Sequence, residues 1–316
     1  MHAMSVYTRV TEAQLRDYLT QFDAGELVAF EGISAGIENT NYFVDTTCGR
    51  YVLTLFEQHS IETLGYFLKL MAWLSEAGVP TAHPLAGKDG HYLRLLCDKP
   101  ASLVQRLRGK SVEVATVEHC AVMGQALAQF HLGGRGFAQQ RANDRDLDWM
   151  QAMRVKVAPL ADSDTLALVD AELSAQTGLS LEALPKGVIH ADLFLDNALF
   201  DGELLTGIID LYYACDGAWL YDVAVTMNDW CRRDDHRLDS ERVIAFLSGY
   251  ARQRSWTEAE RHAWPMMARR AALRFFLSRL HDKLLPRAGE LTQTKDPAVF
   301  RQLLLHLQQQ CPELVG

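Results

Sequence analysis

The chain has 316 residues, 48% hydrophobic and 22% charged, a composition that excludes a disordered or fibrous protein. Its formal net charge of -9 argues against sequence-independent binding to nucleic acid or to an anionic membrane, because both need a surplus of Lys and Arg. Six scattered cysteines without a C-x-x-C pair exclude the zinc-ribbon and thioredoxin patterns. With no leader and no apolar run long enough for a membrane span, we expect a cytoplasmic protein with reduced thiols and a small-molecule partner.

The first hundred residues predict a small antiparallel sheet with one helix. Residues 27–32, 41–45 and 51–56 are short β-rich runs, and the last two read as a hairpin. From Ser60 onward apolar residues recur at helical spacing until Gly78-Val79-Pro80 gives a stop signal. The helix is therefore expected to pack on the sheet.

The rest of the chain is predicted to be mainly helical. We place an N-terminal lobe with the phosphate loop at residues 1–103, a hinge at 104–109 and a larger catalytic and substrate-binding lobe at 110–316. A further strand is expected at 91–96, and helical periodicity recurs over residues 117–131, 242–253 and 265–285. The predicted fold class is therefore α+β in two lobes.

A polar stretch between two short β-rich runs carries the candidate chemistry. Residues 190–197 read His-Ala-Asp-Leu-Phe-Leu-Asp-Asn and fit H-x-D-x-x-x-x-N, the catalytic-loop spacing of phosphoryl transfer. Asp210 ends the second β-run. In this pattern Asp192 takes the proton of an attacking hydroxyl, while Asn197 and Asp210 offer hard oxygen ligands to magnesium. The alternative is that Asp192 and Asn197 only shape turns.

Residues 32–41 form a second, weaker candidate for binding phosphates. They lie between two predicted strands, where small residues let backbone N–H groups approach the phosphates of ATP. Two glycines in a hairpin more often only make a turn, so this pattern depends on the downstream motif. The Gly-Lys-Ser at 109–111 is not a P-loop, because Val104 stands where the first glycine is required.

Three further groups of residues favour a structural interpretation. His131 lies on the apolar face of its helix and is expected to be a core or orienting histidine rather than a metal ligand. The aromatic and Met residues of 219–230 are expected to be core. Arg269, Arg270 and Arg274 are expected on a solvated helix face, although one of them could bind a substrate carboxylate.

These motifs resemble the aminoglycoside phosphotransferase-like kinases, and within them the bacterial homoserine kinases of the type found in pseudomonads. The resemblance spans nearly the whole chain. It rests on Gly-Ile-Glu-Asn-Thr-Asn-Tyr at 36–42, Tyr-Val-Leu-Thr-Leu-Phe-Glu at 51–57, the catalytic-loop motif, Ile-Asp-Leu-Tyr-Tyr-Ala-Cys at 209–215, and Trp-Leu-Tyr-Asp-Val-Ala at 219–224 continuing to Cys231.

The resemblance implies a protein-kinase-like fold that uses ATP and Mg2+ to phosphorylate L-homoserine, giving O-phospho-L-homoserine in threonine biosynthesis. It implies that Asp192 and His190 are the catalytic residues and that Asn197 and Asp210 bind the metal. The residues implied for the nucleotide are Gly32, Ser34, Gly36, Asn39, Thr40, Asn41, Gln105 and Arg106. Composition in the right region adds Asp229, Asp282, Arg270 and Arg274 as candidates for binding the charged ends of homoserine.

One position departs from the broad kinase pattern. The third strand usually carries a Lys or Arg toward the phosphates, whereas this chain has Thr54, and the acidic partner on the following helix is also unclear. Lys69 or Asn41 are candidates to replace the missing cation. The departure keeps two alternatives open: a kinase of the same fold for choline, methylthioribose or an aminoglycoside, and a catalytically dead nucleotide-binding module.

Overall fold

The computed structural model describes residues 8–33, 39–58, 60–286 and 295–316. The chain forms two compact units. The first comprises the described residues up to Gly109 together with Thr206–Tyr212, and the second comprises Lys110–Leu205 and the described residues from Tyr213 onward. Within these ranges no helix combines the length and the apolar character needed to cross a membrane.

The secondary structure follows the predicted order. The helices are α1 Glu12–Leu19, α2 Ile61–Glu76, α3 Val117–Gly133, α4 Leu147–Val157, α5 Ser163–Gln176, α6 Trp219–Trp230, α7 Ser240–Ala251, α8 Glu258–Leu284 and α9 Ala298–Gln309. The strands are β1 Leu27–Gly32, β2 Thr40–Thr46, β3 Arg50–Leu55, β4 Arg94–Leu96, β5 Lys99–Gln105, β6 Lys186–Ile189, β7 Ala198–Asp201, β8 Leu204–Ile208 and β9 Cys215–Ala218. The predicted α+β class, with an antiparallel N-terminal sheet and a mainly helical remainder, is confirmed.

The first unit is built on an antiparallel sheet in the order β1-β2-β3-β5-β4. Alternate residues of its strands, such as Tyr42, Val44 and Leu53, share a buried core with Leu15 of α1, as the period of two requires. Strand β4 is shorter than the predicted run at 91–96. Residues 91–93 are not part of the strand and follow a turn, across which the N–H of Gly87 donates to the carbonyl of His91 at 2.8 Å.

The second unit is mostly helical, and its longest helix begins earlier than the periodicity indicates. Helix α8 starts at Glu258, seven residues before Pro265, because Thr257 and Glu260 form a reciprocal capping box that fixes the first turn. Pro265 is accommodated inside the helix. Helix α8 packs against α4, α5, α6 and α9, which makes it the centre of this unit.

Helices α3 and α7 approach closely because each has a glycine at the crossing. A Cβ atom on Gly124 would lie 1.9 Å from the carbonyl oxygen of Phe246, and one on Gly249 would lie 2.3 Å from the carbonyl oxygen of Ala121. Both obstacles are backbone atoms, which cannot rotate away. The crossing therefore requires the absence of a side chain at both positions.

Gly124→Ala is expected to lower the free energy of unfolding by about 2–3 kcal/mol, the usual cost of overpacking a tight core. Gly65→Ala in α2 is the matched control, since a Cβ there meets nothing within 4 Å. That control should raise stability by about 0.5–1 kcal/mol through helix propensity alone. Denaturant unfolding of both variants measures the contrast, and equal effects in the two would contradict the close-approach argument.

Candidate active site

The catalytic loop brings Asp192 and Asn197 into direct contact. The Nδ2 atom of Asn197 donates to the backbone oxygen of Asp192 at 2.8 Å and lies 3.4 Å from its Oδ2. The N–H of Phe194 donates to the same backbone oxygen at 2.8 Å, which closes a tight turn. Asn197 is only 8% exposed. Because its amide nitrogen donates to this turn, Oδ1 is the amide atom that could accept from or bind a ligand.

Helix α6 holds the start of this loop through a buried carboxylate that the sequence analysis did not single out. Asp222 accepts hydrogen bonds from the backbone N–H of His190 at 2.7 Å and of Ala191 at 2.8 Å. Ala191 has a φ of +64°, a left-handed conformation that costs a non-glycine residue about 1–2 kcal/mol. The two hydrogen bonds offset that cost and fix the backbone immediately before Asp192.

The same helix contacts the loop at two more points. Asp229 accepts from the N–H of Leu195 at 3.0 Å, and the indole N–H of Trp230 donates to the carbonyl of Leu193 at 3.0 Å. Positions 222, 229 and 230 recur at seven and eight residues, so they lie on one face of α6. The helix therefore holds the catalytic loop along most of its length.

His131 completes the support behind Asp222. Its Nε2 lies 3.0 Å from Oδ2 of Asp222 and its Nδ1 lies 2.7 Å from the hydroxyl of Tyr250, all three residues being buried. Burial lowers the pKa of His131, although the hydrogen bond to Asp222 opposes the shift. Burial alone would raise the pKa of Asp222, but the hydrogen bond from His131 and its other donors lower it. The ring therefore links Tyr250 to Asp222 inside the core, the position expected of a buried orienting histidine.

His190 itself faces the interior. Its side chain is fully buried and its ring lies 5.9 Å from that of Phe130. A side chain in this position supports the loop from the protein interior, whereas Asp192, two residues later, is only half-buried. Of the two residues expected to be catalytic, Asp192 is the more exposed one.

Asp210 belongs to the first unit and follows β8 directly. It is exposed and has a φ of +61°, a second left-handed residue at a predicted site position. Strand β8 is held in this unit by Thr81, whose hydroxyl donates to the carbonyl of Ile208 at 2.9 Å. The carboxylate is therefore presented at the end of a fixed strand.

The predicted phosphate loop is described only at its edges. Gly32 ends β1, and Ser34 and Gly36 lie outside the described residues. The hydroxyl of Thr40 is buried, donating to Glu57 at 2.7 Å and accepting from the N–H of Thr8 at 3.0 Å. The Oδ1 of Asn39 accepts from the N–H of Glu57 at 3.4 Å. Both side chains therefore brace the end of the loop.

Thr54 and Asn41 are paired across β2 and β3. The hydroxyl of Thr54 donates to Oδ1 of Asn41 at 2.8 Å, and Thr54 is 6% exposed. Lys69, the other candidate for the missing cation, is exposed on α2. The helix buries Tyr66 and Phe67 instead of an acid. A neutral pair thus occupies the place where other kinases have charged residues.

Gln105 and Arg106 end the last long strand of the first unit. The N–H of Gln105 donates to the carbonyl of His83, and that of Arg106 to the carbonyl of Arg50, both at 2.9 Å. The Arg106 guanidinium lies 3.7 Å above the ring of Phe43. The backbone N–H groups are thus engaged, which leaves the carbonyl groups as the candidates to meet adenine.

The four substrate candidates fall into different environments. Asp229 already accepts a hydrogen bond from the backbone of the catalytic loop. The side chain of Asp282 is 57% exposed and lies beside His281. Arg270 is 3% exposed, bonded to Gln176 at 3.1 Å and paired with Asp146 at 3.5 Å. Arg274 is 5% exposed and stacks on Phe275 at 3.8 Å. The expected solvated arginine face is therefore wrong for these two residues, because α8 is surrounded by other helices.

Asn197 in the second unit and Asp210 in the first each offer an oxygen donor of the kind that magnesium binds. Across the described ranges no cluster of three or more His, Cys, Asp or Glu side chains could hold a metal. Magnesium usually needs only one or two carboxylate or amide oxygens, since it keeps several waters and binds substrate phosphates. The amide oxygen of Asn197 and the exposed carboxylate of Asp210 are ligands of this type.

Asp222 could have been found in the sequence. It lies between Tyr221 and Val223 in a helix that is apolar at most positions. An acid flanked by apolar residues in such a helix is expected to be buried and must then have hydrogen-bond donors, which the backbone N–H groups of a catalytic loop can supply.

Comparison with known proteins places these features in a family context. The family model described as "Phosphotransferase enzyme family" matches residues 29–256. A homoserine kinase of Methylobacillus flagellatus is 48% identical over 303 residues, covering 96% of this chain and 95% of the relative. A homoserine kinase of Neisseria meningitidis serogroup B is 43% identical, covering 96% of this chain and all of the relative.

Solved structures with low sequence identity share the fold. An amicoumacin kinase in complex with AMP-PNP, Ca2+ and Ami has a TM-score of 0.70 at 15% identity, covering 96% of this chain and 95% of its own. A microcompartment-associated aminopropanol kinase has a TM-score of 0.57 at 17% identity, covering 94% of each chain. These likenesses confirm the protein-kinase-like fold expected from the sequence.

Proposed function

The chain belongs to the phosphotransferase enzyme family, and on that premise we propose that it transfers the γ-phosphate of ATP to the hydroxyl of L-homoserine, giving O-phospho-L-homoserine. The observation that carries the proposal is the loop in which Asn197 and Asp222 fix Asp192, in a chain 48% identical to a homoserine kinase over nearly its full length. The alternative, in which Asp192 and Asn197 only shape turns, does not explain why several buried side chains of α6 form hydrogen bonds with the loop that carries them.

Asp192 is the general base in this proposal. Its carboxylate orients the hydroxyl of the acceptor for in-line attack and accepts the hydroxyl proton as the bond to phosphorus forms. The bond between the γ-phosphorus and the bridging oxygen breaks in the same step, and ADP carries away the electron pair. Most of the rate enhancement then comes from holding the acceptor in line.

Asn197 and Asp210 would hold the divalent cation, with ATP as the phosphoryl donor. The amicoumacin kinase neighbour, solved with AMP-PNP and Ca2+, supports a nucleotide together with a divalent ion. Magnesium, when bound, supplies positive charge where the negative charge of the transferred group develops. Asn197 contributes its Oδ1 because its Nδ2 is held by the loop.

The remaining predicted residues position these groups. His190 supports the catalytic loop from the interior, so it is a positioning residue and does not take part in the chemistry. Residues 32–41, including Gly32, Ser34, Gly36, Asn39, Thr40 and Asn41, cover the phosphates, and the backbone at Gln105 and Arg106 meets adenine. Asn41 and Thr54 offer the phosphates a neutral amide and hydroxyl in place of a cation.

A panel of acceptors tests the assignment. ADP release is measured for purified protein with ATP and Mg2+ in the presence of homoserine, serine, choline, methylthioribose or kanamycin. Turnover with homoserine and little with the others is expected. Turnover with another acceptor would keep the phosphotransferase activity but overturn homoserine, and no turnover with any of them would favour the dead nucleotide-binding module.

A further inference from the structure

Arg274 is a buried cation that has no acidic partner among the residues that the structure describes. It is 5% exposed, and its Nε atom has no hydrogen-bond partner. Its contacts among the described residues are with aromatic rings, 3.8 Å from its Cζ to the centroid of Phe275 and 5.8 Å to that of Tyr213. A desolvated guanidinium is costly unless it is paired, so a residue held in this way is suited to an anion that arrives from outside.

A second arginine shares the same ring. The Cζ of Arg145 lies 5.9 Å from the centroid of Tyr213 and 4.8 Å from that of Trp149. Within the described part of the chain its guanidinium has no carboxylate partner, in contrast to Arg141 and Arg154, which pair with Asp144 and Asp170. Two arginines thus lie near one tyrosine, and neither forms an ion pair with a described carboxylate.

Tyr221 adds a polar group to this region. Its hydroxyl is buried with no hydrogen-bond partner, and the residue lines a cavity of about 160 Å³ together with Asn143, Asp146, Asp216 and Arg270. Burial raises the pKa of Tyr221, and the positive charge of Arg274 opposes that rise, as expected for two groups near each other. Tyr213 stands three residues after Asp210, and Tyr221 immediately precedes Asp222.

We propose that Arg274 and Arg145 form the subsite that binds the carboxylate of the amino-acid acceptor, with the Tyr221 hydroxyl as a further donor. This assignment rests on the proposed phosphotransfer to homoserine. Arg270 is excluded because Asp146 and Gln176 already engage it, and Asp229 is excluded because the catalytic loop occupies it. A cation pair of this kind also suits a phosphate, so the test must separate a carboxylate from the transferred phosphoryl group.

The test compares two acceptors that differ only in the carboxylate, homoserine and 3-aminopropan-1-ol, in the wild type and in Arg274→Met. The variant is expected to lose about 100-fold in kcat/KM for homoserine, since a charge-assisted contact is lost. For 3-aminopropan-1-ol kcat/KM should change less than about threefold, and the KM for ATP should stay constant. Arg145→Gln, at a half-buried position, should act in the same direction with a smaller loss.

Stability gives an independent readout. Arg274→Met should unfold at about the same temperature as the wild type or higher, because it removes an unpaired buried charge. The matched control is Arg269→Gln on the same helix, whose arginine pairs with the fully buried Glu172 at 2.5 Å. That control should lower the unfolding temperature and leave the preference between the two acceptors unchanged.

The outcomes separate this proposal from the one on which it rests. A wild type that phosphorylates homoserine, together with an Arg274→Met variant that loses both acceptors equally or raises the KM for ATP, overturns the carboxylate subsite and assigns Arg274 to the phosphoryl group. Unchanged kcat/KM for homoserine in both arginine variants also overturns it. A wild type without homoserine turnover overturns the proposed function itself.

Discussion

Replacing Asp192 by asparagine is expected to lower kcat by about 10³-fold, the range that a general base contributes in phosphoryl and acyl transfer. Asparagine keeps the shape of the side chain and can still accept from Asn197, so the loop should remain in place. The KM for ATP and the unfolding temperature are therefore expected to stay near the wild-type values. Steady-state kinetics with thermal unfolding of the same sample measures all three quantities.

Asp196→Asn is the matched control for that variant. Asp196 belongs to the same loop, but it is exposed and pairs with Lys295 at 3.0 Å. An exposed pair contributes little to stability, so this substitution should leave both kcat and the unfolding temperature nearly unchanged. An Asp192→Asn variant that keeps more than about a tenth of wild-type kcat, or a control that loses as much as it does, would remove Asp192 from the role of base.

The sheet and the catalytic loop could be predicted because their signals are local in the sequence. Strand β2 alternates buried and half-buried residues with a period of two, and a short turn joins it to β3. Asp192 and Asn197 lie within six residues, and their contact through Nδ2 arises inside one turn. At α8 two local signals competed, and the predicted start of the helix was wrong. The capping box at Thr257 determined where the helix begins, whereas Pro265 did not.

The residues that hold the catalytic loop in place could not be predicted from local signals, because they depend on contacts between residues that are distant in the sequence. Asp222 and His131 lie 91 residues apart and meet only when α3 and α6 pack together. The burial of Arg270 and Arg274 has a similar cause. Periodicity places charged residues on a solvated face, but α8 packs against α4, α5, α6 and α9. Arg270 and Arg274 lie on its covered sides, whereas Arg269 is partly exposed.

Asp222→Asn is expected to lower kcat by about 100-fold and the free energy of unfolding by about 3 kcal/mol. Asp222 accepts from the N–H groups of His190 and Ala191 and from His131. An asparagine side chain turns one of these acceptors into a donor, which leaves a buried N–H group facing another N–H group. With one hydrogen bond lost, Ala191 can leave its left-handed conformation, and Asp192 shifts with it.

Thr226→Val distinguishes this effect from a general loss of stability. The hydroxyl of Thr226 donates to the backbone carbonyl of Asp222 at 2.9 Å, a hydrogen bond within the same buried helix. The control should lose about 1 kcal/mol of stability and keep wild-type kcat when assayed well below its unfolding temperature. If Asp222→Asn behaves in the same way, with lower stability and unchanged kcat, the carboxylate supports only the fold. A selective loss of kcat with a constant KM for ATP would instead show that the geometry of Asp192 depends on this single buried acid.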